Sequence, residues 1–413
     1  MSFEVLYSIN GVISLVFIFY ILRQYLFSIV TLRNNDLDNF TDYIPNRTVS
    51  ILIPARNEER VIDQTLEFMS KLDYPLDKME ILVLNDASTD GTSKIAHEWA
   101  DRYPFIRIVD RKIGGLGKGD VLNQGLRESK NDIILVFDAD YTPAPDTVKR
   151  LVRWFEDPKI GLVQGRIYVV NKDTNILTKM INTERCAGFL CDLFARDKLK
   201  ISNQYGGTAG GFRRELISKV GEWDVNTYCE DTDLTCRALI AGYKIKYDVS
   251  VNCGEEAPDS LKAYYKQRYR WIRGHTICGL KYTQGLLTSP FLSMREKIDS
   301  FFWININLIP ILIIIGQILG VTQYFLSPVV QTPQPYSMAM IFISGGATVA
   351  MVFASLYQIK QMRYLKFAIL MVLNSFIMSF IISIKVYLDI LFNSPFKWNK
   401  TERSIIIRST THP

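Results

Sequence analysis

Ile133-Ile134-Leu135-Val136-Phe137-Asp138-Ala139-Asp140 sets five apolar residues directly before an acid-x-acid triplet. A short run with no polar member fits a strand buried on both faces, as in a sheet covered by helices. The chain upstream repeats the theme. Val49–Ile53 ends at Pro54, and a helical pattern runs from Glu58 to Lys71. Ile81–Leu84 precedes a turn at Asn85–Gly91, and a helix is expected from Ser93 to Tyr103. Phe105–Val109 is a third strand, followed by a helix over Asp120–Ser129. Strands alternating with such helices predict βαβ units and a mostly parallel, Rossmann-like α/β sheet. Ligands of such sheets bind beyond the carboxyl ends of the strands. That rule singles out Ala55, Arg56 and Glu58, then Asn85-Asp86, then Asp138-Ala139-Asp140.

Side chains at i and i+2 of a strand point the same way, so the spacing predicts that Asp138 and Asp140 face one cleft. Two carboxylates, with diphosphate oxygens completing the shell, suit a hard cation such as Mg²⁺ or Mn²⁺. A solvated turn is the plain alternative. Gly114-Gly115-Leu116-Gly117-Lys118-Gly119 is not a P-loop, because Gly119 rather than Ser or Thr follows the lysine. It reads as a glycine loop whose backbone and Lys118 can approach phosphate ahead of a helix, or else as a connector. Glu230-Asp231-Thr232-Asp233 opens a helix expected to run to Ala241. Acidic residues there either serve chemistry or favour the helix dipole. Tyr264–Gly279 is aromatic and basic and contains Gln267-Arg268-Tyr269-Arg270-Trp271. It precedes an amphipathic stretch at Phe291–Phe302, a pattern that suits a membrane surface.

The 413 residues are 48% apolar and 22% charged, which excludes disorder, collagen-like repeats and a disulfide mini-scaffold. The apolar residues are unevenly placed. Val5–Leu32 holds one charged residue, Arg23, while Phe301–Phe392 holds four basic residues (Lys360, Arg363, Lys366 and Lys385) and Asp389. About 20 apolar residues cross a bilayer, so residues 1–33 read as an uncleaved anchor. Spans are expected near 303–326, 337–357 and 367–390. The basic residues at Arg23 and Arg33 and in the 358–366 connector place the charge-rich middle on the cytoplasmic side of a plasma membrane. The basic residues of the 393–413 tail sit awkwardly with that topology. A net charge of +6 is explained by juxtamembrane loops facing anionic lipid, and no basic helix marks a nucleic-acid binder. Six cysteines without a CxxC pair read as reduced thiols. Three scattered histidines offer no metal site.

Taken in order, these segments resemble the membrane-embedded family 2 glycosyltransferases, the cellulose, chitin, hyaluronan and poly-N-acetylglucosamine synthases of GT-A fold. The resemblance runs from about Val49 to Trp271. It rests on Pro54–Glu58, Asn85–Thr92, Lys118 with Asn123, Asp138-Ala139-Asp140, Glu230-Asp231 and Gln267-x-x-Arg270-Trp271. It implies that Asp86 contacts the nucleotide base with help from Ala55, Arg56 and Glu58. Lys118 and Asp138 would hold the nucleotide sugar, and Asp140, with Asp138, a Mg²⁺ or Mn²⁺ ion. Asp231, beside Glu230, would be the catalytic base. Gln267, Arg270 and Trp271 would line the diphosphate and acceptor cleft, with Gly207 and Thr208 at its acceptor end. Two departures bear on the acceptor: Cys229 stands where Thr is frequent, and Gly206 where cellulose synthases carry Cys. The implied organisation is an anchor (1–33), a cytoplasmic GT-A domain (34–257), interfacial helices (258–302), about three membrane helices (303–392) and the tail. The implied activity is inverting transfer from a nucleotide sugar, UDP above all, onto a growing β-linked polysaccharide that is moved across the membrane. Single transfer to a lipid, as by ceramide-glucosyltransferase-like enzymes, is the alternative. The partners are the donor, a saccharide or lipid acceptor, membrane lipid, and an oligomer or partner subunit.

Overall fold

The computed structural model describes residues 3–38, 40, 43–326 and 335–394. The 327–334 connector and the tail beyond 394 lie outside them. An N-terminal helix α1 (Phe3–Arg33) leads into β1 (Val49–Ala55), α2 (Ile62–Ser70), β2 (Met79–Asn85), α3 (Thr92–Arg102), β3 (Ile106–Asp110) and α4 (Lys118–Glu128). There follow β4 (Ile133–Val136), β5 (Thr142–Pro143), α5 (Thr147–Val152), β6 (Ile160–Val169) and α6 (Ile176–Cys186). A π-helical segment, Ala187–Leu193, joins α6 to α7 (Phe194–Lys198). Then come β7 (Gly210–Arg213), α8 (Arg214–Val220), α9 (Glu230–Ile240) and β8 (Lys244–Glu255). The C-terminal part is helical: α10 (Leu261–Thr288), α11 (Met294–Ile304), α12 (Ile309–Leu326), α13 (Pro335–Gln358) and α14 (Ala368–Leu391).

The strands form one eight-stranded sheet in the order β3-β2-β1-β4-β7-β6-β8-β5. The β3-β2-β1-β4 half is parallel, as the βαβ reading expects. Beyond β4 the expectation of a mostly parallel sheet fails. Strand β7 runs antiparallel to both β4 and β6, and β5 runs antiparallel to β8, so the sheet is mixed. The strands that reverse it, β5 and β7, span two and four residues and contain Gly210, Gly211 and Pro143. Such short stretches carry too little periodicity to be read as strands.

Helices cover both faces of the parallel half. Ile51 and Ile53 point into the core shared with Leu66 and Met69 of α2, whereas Leu52 joins Leu122 and Leu126 of α4 on the opposite side. This period-two division explains why β4 reads as an unbroken apolar run and why β1 is interrupted only at Ser50, which donates to Glu80 at 2.6 Å.

Among the described residues, Ser8–Arg33 and Met362–Leu391 are long and apolar enough to cross a membrane. Met294–Ile304 and Ile306–Thr322 pass the same test as a pair bent by 49°. The amphipathic stretch and the first expected C-terminal span are therefore continuous around one bend. Helix α1 is tied to the sheet domain and to α11 by two arginines and two carboxylates. Arg23 reaches Asp299 at 2.7 Å and Asp192 at 3.0 Å. Arg196 reaches Asp192 at 2.9 Å and also pairs with Asp299. Arg23 is thus consumed by this network. The basic connector before α14 docks on the sheet domain too, since Tyr364 donates to Asp173 at 2.8 Å.

Candidate active site

Two loops at the carboxyl ends of β1 and β2 are knitted together. Asp86 donates its N–H to the Ala55 carbonyl at 2.9 Å, and the Glu58 N–H donates to Thr92 Oγ1 at 2.7 Å. Asn57 and Ala87 have φ of 55° and 50°, a left-handed backbone that L-residues adopt only when their surroundings demand it. The Asp86 carboxylate is buried and accepts from Arg111 at 2.8 Å, from Arg56 at 3.3 Å and from the Gly115 N–H at 2.9 Å. The glycine loop therefore folds over Asp86. A Cβ at Gly114 would lie 2.3 Å from the Asp86 carbonyl oxygen, so only glycine fits there.

Lys118 begins α4, two residues earlier than the sequence pattern suggests. Its ammonium lies 2.6 Å from Asp138 Oδ1 and 3.7 Å from Glu230 Oε1, and it donates to the Gly207 carbonyl at 3.0 Å. Burial alone would lower its pKa. The Asp138 and Glu230 carboxylates outweigh that and hold it above the ordinary lysine value.

Strand β4 ends at Val136, so Asp138-Ala139-Asp140 lies in a turn and not on the strand. Strand alternation therefore does not orient the two carboxylates. The turn is closed by the Tyr141 N–H donating to the Asp138 carbonyl at 3.1 Å, and the Asp138 N–H is held by Thr208 Oγ1 at 3.0 Å. Both carboxylates nevertheless act on the same neighbours: burial raises the pKa of Tyr141 and Cys253, and the charges of Glu255, Asp138 and Asp140 add to the rise in each.

Glu230 and Asp231 form the first turn of α9, and Asp231 Oδ1 accepts from the Thr232 N–H at 2.7 Å. Burial raises both carboxyl pKa values, and for Glu230 the charge of Asp231 adds to the rise. Lys118 and Arg270 work against it. Gly207 has φ of +76°, and a Cβ there would sit 3.0 Å from Asp231 Cβ. The Gly206–Thr208 loop thus touches the carboxylate expected to be the base.

Gln267, Arg270 and Trp271 lie on α10, which packs against the start of α9. Gln267 is buried. The Trp271 carbonyl accepts weakly from Cys229 Sγ at 3.7 Å. Its ring is flanked by the guanidinium groups of Arg185 at 4.9 Å and Arg268 at 5.0 Å.

Several supporting residues escaped the sequence reading. Gln164 on β6 accepts from the Gly206 N–H at 2.7 Å and donates to the Thr208 carbonyl at 3.1 Å. Glu255 on β8 binds Arg185 at 2.5 Å and accepts from Tyr141 at 2.9 Å, linking the acidic turn to the support of Trp271. Arg111 was within reach of the strand-end rule, since it follows Asp110 at the end of β3. Gln164 and Glu255 carry no local signal.

Asp138 and Asp140 supply hard oxygen donors. No group of three or more His, Cys, Asp or Glu side chains that could hold a metal occurs among the described residues. A Mg²⁺- or Mn²⁺-type ion fits such a sparse set, because these ions are commonly held by one or two carboxylates plus substrate phosphates.

A model of glycosyl transferase family 2 matches residues 50–221. Over 261 residues the chain is 40% identical to the probable glycosyltransferase YdaM of Bacillus subtilis (strain 168), covering 62% of this chain and 61% of that protein. Over 262 residues it is 30% identical to the beta-monoglucosyldiacylglycerol synthase of Synechocystis, covering 62% and 54%. Over 266 residues it is 29% identical to the poly-beta-1,6-N-acetyl-D-glucosamine synthase of Staphylococcus aureus (strain COL), covering 63% of each. The matches thus span less than two thirds of these relatives. Among solved structures, the mannosyltransferase PcManGT from Pyrobaculum calidifontis, in complex with GDP-Man and Mn²⁺, aligns over 96% of this chain and 100% of its own. The TM-score is 0.61 at 19% identity, a likeness of fold. Residues 50–221 thus carry a match to glycosyltransferase family 2, and they take in most of the mixed α/β sheet.

Proposed function

We propose that the protein is an inverting, metal-dependent glycosyltransferase of the plasma membrane, with its GT-A domain in the cytoplasm. It takes a sugar from a nucleotide donor, a UDP-sugar by resemblance, and extends a β-linked polysaccharide that crosses the bilayer. One observation carries this reading: Lys118 joins Asp138 to Glu230 while Gly207 rests on Asp231, so residues assigned to donor, metal and base converge.

In this scheme Asp86, oriented by Arg111 and Arg56, accepts from the nucleobase once the glycine loop yields to it. Asp138 and Asp140 would hold the cation, which would supply charge neutralisation for the leaving group. Lys118, as a fixed cation, and Arg270 face the charge that develops on the leaving oxygen. An acceptor hydroxyl attacks the anomeric carbon as the bond to the diphosphate breaks, and its proton passes to Asp231. Attack opposite the leaving group inverts the centre, so an α-linked donor yields a β-linked product. The raised pKa of Asp231 makes it a better proton acceptor than an exposed aspartate.

A second reading, transfer of one sugar to a membrane lipid, is supported by a cavity at the α10–α14 junction with a volume of about 190 Å³. It is also supported by the likeness to the Synechocystis enzyme. Incubating protein-containing membranes with labelled UDP- and GDP-sugars and sizing the products separates the readings. A ladder of oligomers supports the polysaccharide, a single lipid-linked sugar refutes it, and the absence of any transfer refutes both.

A further inference from the structure

The connector ahead of α14 turns through Met362–Phe367 and carries two aromatic rings, Tyr364 and Phe367, with centres 6.5 Å apart. Cations from two parts of the chain gather on these rings. Lys172 Nζ lies 6.0 Å and Arg363 Cζ 4.9 Å from the centre of Tyr364. Lys179 Nζ lies 5.8 Å and Lys366 Nζ 5.4 Å from the centre of Phe367. Arg363 and Lys366 belong to the connector, whereas Lys172 precedes α6 and Lys179 lies on it. The connector's own charge places it near lipid; the fold adds two lysines of the sheet domain to it and makes a cluster that neither segment shows alone.

Little negative charge balances this cluster. Asp173 lies 3.5 Å from Arg363 and accepts from Tyr364 at 2.8 Å. Among the described residues, Lys172, Lys179 and Lys366 pair with no carboxylate. Burial lowers the Lys172 pKa; Cys186 and Asp173 oppose that, and the Arg363 guanidinium adds to the fall. The aromatic faces offset part of the repulsion between the cations, and a bound anion would offset more. Position decides which anion. Arg363 and Lys366 stand at the start of Met362–Leu391, a segment long and apolar enough to cross a membrane. Just beyond them Ile369 is 68% and Leu370 44% exposed, and Ile176 in the first turn of α6 is 58% exposed. Cations beside bare aliphatic side chains match a phosphate whose esters lead into acyl chains. A small soluble phosphate would leave those side chains in water.

We infer that Lys172, Lys179, Arg363 and Lys366 form a seat for the headgroup phosphate of an anionic phospholipid, whose acyl chains run along the start of α14. The inference is independent of the transferase reading and rests on the Met362–Leu391 segment crossing a membrane. It ties the sheet domain to the bilayer through α6, in addition to the covalent link at the connector.

The test uses the full-length protein in uncharged detergent micelles, titrated in parallel with short-chain phosphatidylglycerol, short-chain phosphatidylcholine and inorganic phosphate. A ligand held only by the folded state raises Tm with its concentration, and the titration yields Kd. Phosphatidylglycerol at about 100 times its Kd should raise Tm by about 5 °C or more, and the other two by less than about 1 °C. Added salt should shrink the rise. Lys179→Gln combined with Lys366→Gln should weaken the phosphatidylglycerol Kd by about 30-fold, the effect of two cations near an anionic surface. Lys179→Arg combined with Lys366→Arg keeps both charges and should hold Kd within about 3-fold. Removing like charges relieves repulsion, so the glutamine pair without lipid should unfold at or above the parent's Tm. An equal shift with phosphatidylcholine or inorganic phosphate, or a Kd unmoved by the glutamine pair, overturns the inference. Protein that fails to float with phosphatidylcholine vesicles refutes the membrane reading itself, and the inference with it.

Discussion

Replacing Gly274 with alanine tests whether the seating of α10 on α9 governs activity. A Cβ at this position would lie 2.3 Å from Cys229 Sγ, 2.8 Å from its Cβ and 3.0 Å from its backbone nitrogen. Unbonded heavy atoms settle at roughly 3.5–4.0 Å, so the overlap with sulfur exceeds about 1 Å. Rotating the thiol away clears only the first contact. The other two belong to atoms fixed by the start of α9, so α10 itself must retreat. Arg270 and Trp271 lie one turn before Gly274 on the same helix and must move with it. Overpacking of this kind costs about 1–3 kcal/mol, a loss of roughly 2–4 °C in Tm per kcal/mol for a domain of about 200 residues. The larger effect falls on rate, because a displacement of about 1 Å at a positioned group can cost about 100-fold. Steady-state transfer kinetics and thermal unfolding, run on the same preparation, separate the two effects. Gly274→Ala should lower kcat by about 100-fold while nucleotide Kd changes by less than about 3-fold. Adding Cys229→Gly removes the sulfur and Cβ contacts and should recover at least half of the lost activation free energy. Unchanged kcat and Tm in Gly274→Ala would refute the argument that this contact positions α10.

Asp231→Asn should leave nucleotide Kd within about 2-fold and lower transfer by about 100-fold to 10,000-fold, the range of a lost general base. Isothermal titration beside a labelled-sugar assay checks both parts. The pH dependence follows from the raised pKa of the buried Glu230 and Asp231 carboxyls. The base works only when ionised, so kcat/KM should climb with pH along a limb lying above the usual aspartate value of about 3.9. Lys118→Met removes a cation that opposes the burial effect and should carry that limb further toward neutral pH. A limb at or below the usual aspartate value in both proteins would contradict it. Chelation with EDTA should abolish transfer, and Mn²⁺ or Mg²⁺ should restore it. Asp140→Asn should raise the metal concentration needed for half-maximal rate by about 10-fold or more, the scale of lost ligand-sphere interactions.

Local periodicity carried much of the fold. Val49–Ile53, Ile81–Leu84 and Ile133–Phe137 each form strands within one or two residues of their apolar runs, because burial on both faces leaves a hydrophobic record broken only at Ser50. The strand-end rule also found Asp86 and the acidic turn. It misjudged the turn's geometry: the apolar run suggested a strand reaching Asp138, whereas the backbone bends after Val136 and Thr208 holds the Asp138 amide. The sheet's second half was not legible, since β5 and β7 are too brief to show a period. Glu255 and Gln164 were missed because each looks like an ordinary polar residue in a strand. Only their partners, Arg185 and Tyr141 for one and the Gly206–Thr208 loop for the other, give them a role.

The sequence by itself determined the alternation of strands and helices, the apolar blocks at both ends, and the ordered motifs from Ala55 to Trp271. Each depends on neighbours along the chain, and spacing records such neighbours directly. Tertiary structure alone decided that Lys118 bridges Asp138 and Glu230, that Gly207 rests on Asp231, and that Trp271 lies between Arg185 and Arg268. It also made the cavity between α10 and α14, which belongs to no single segment. Those contacts arise where separate elements pack, and their distances follow from the balance of burial and charge across the whole fold, which no one-dimensional pattern records.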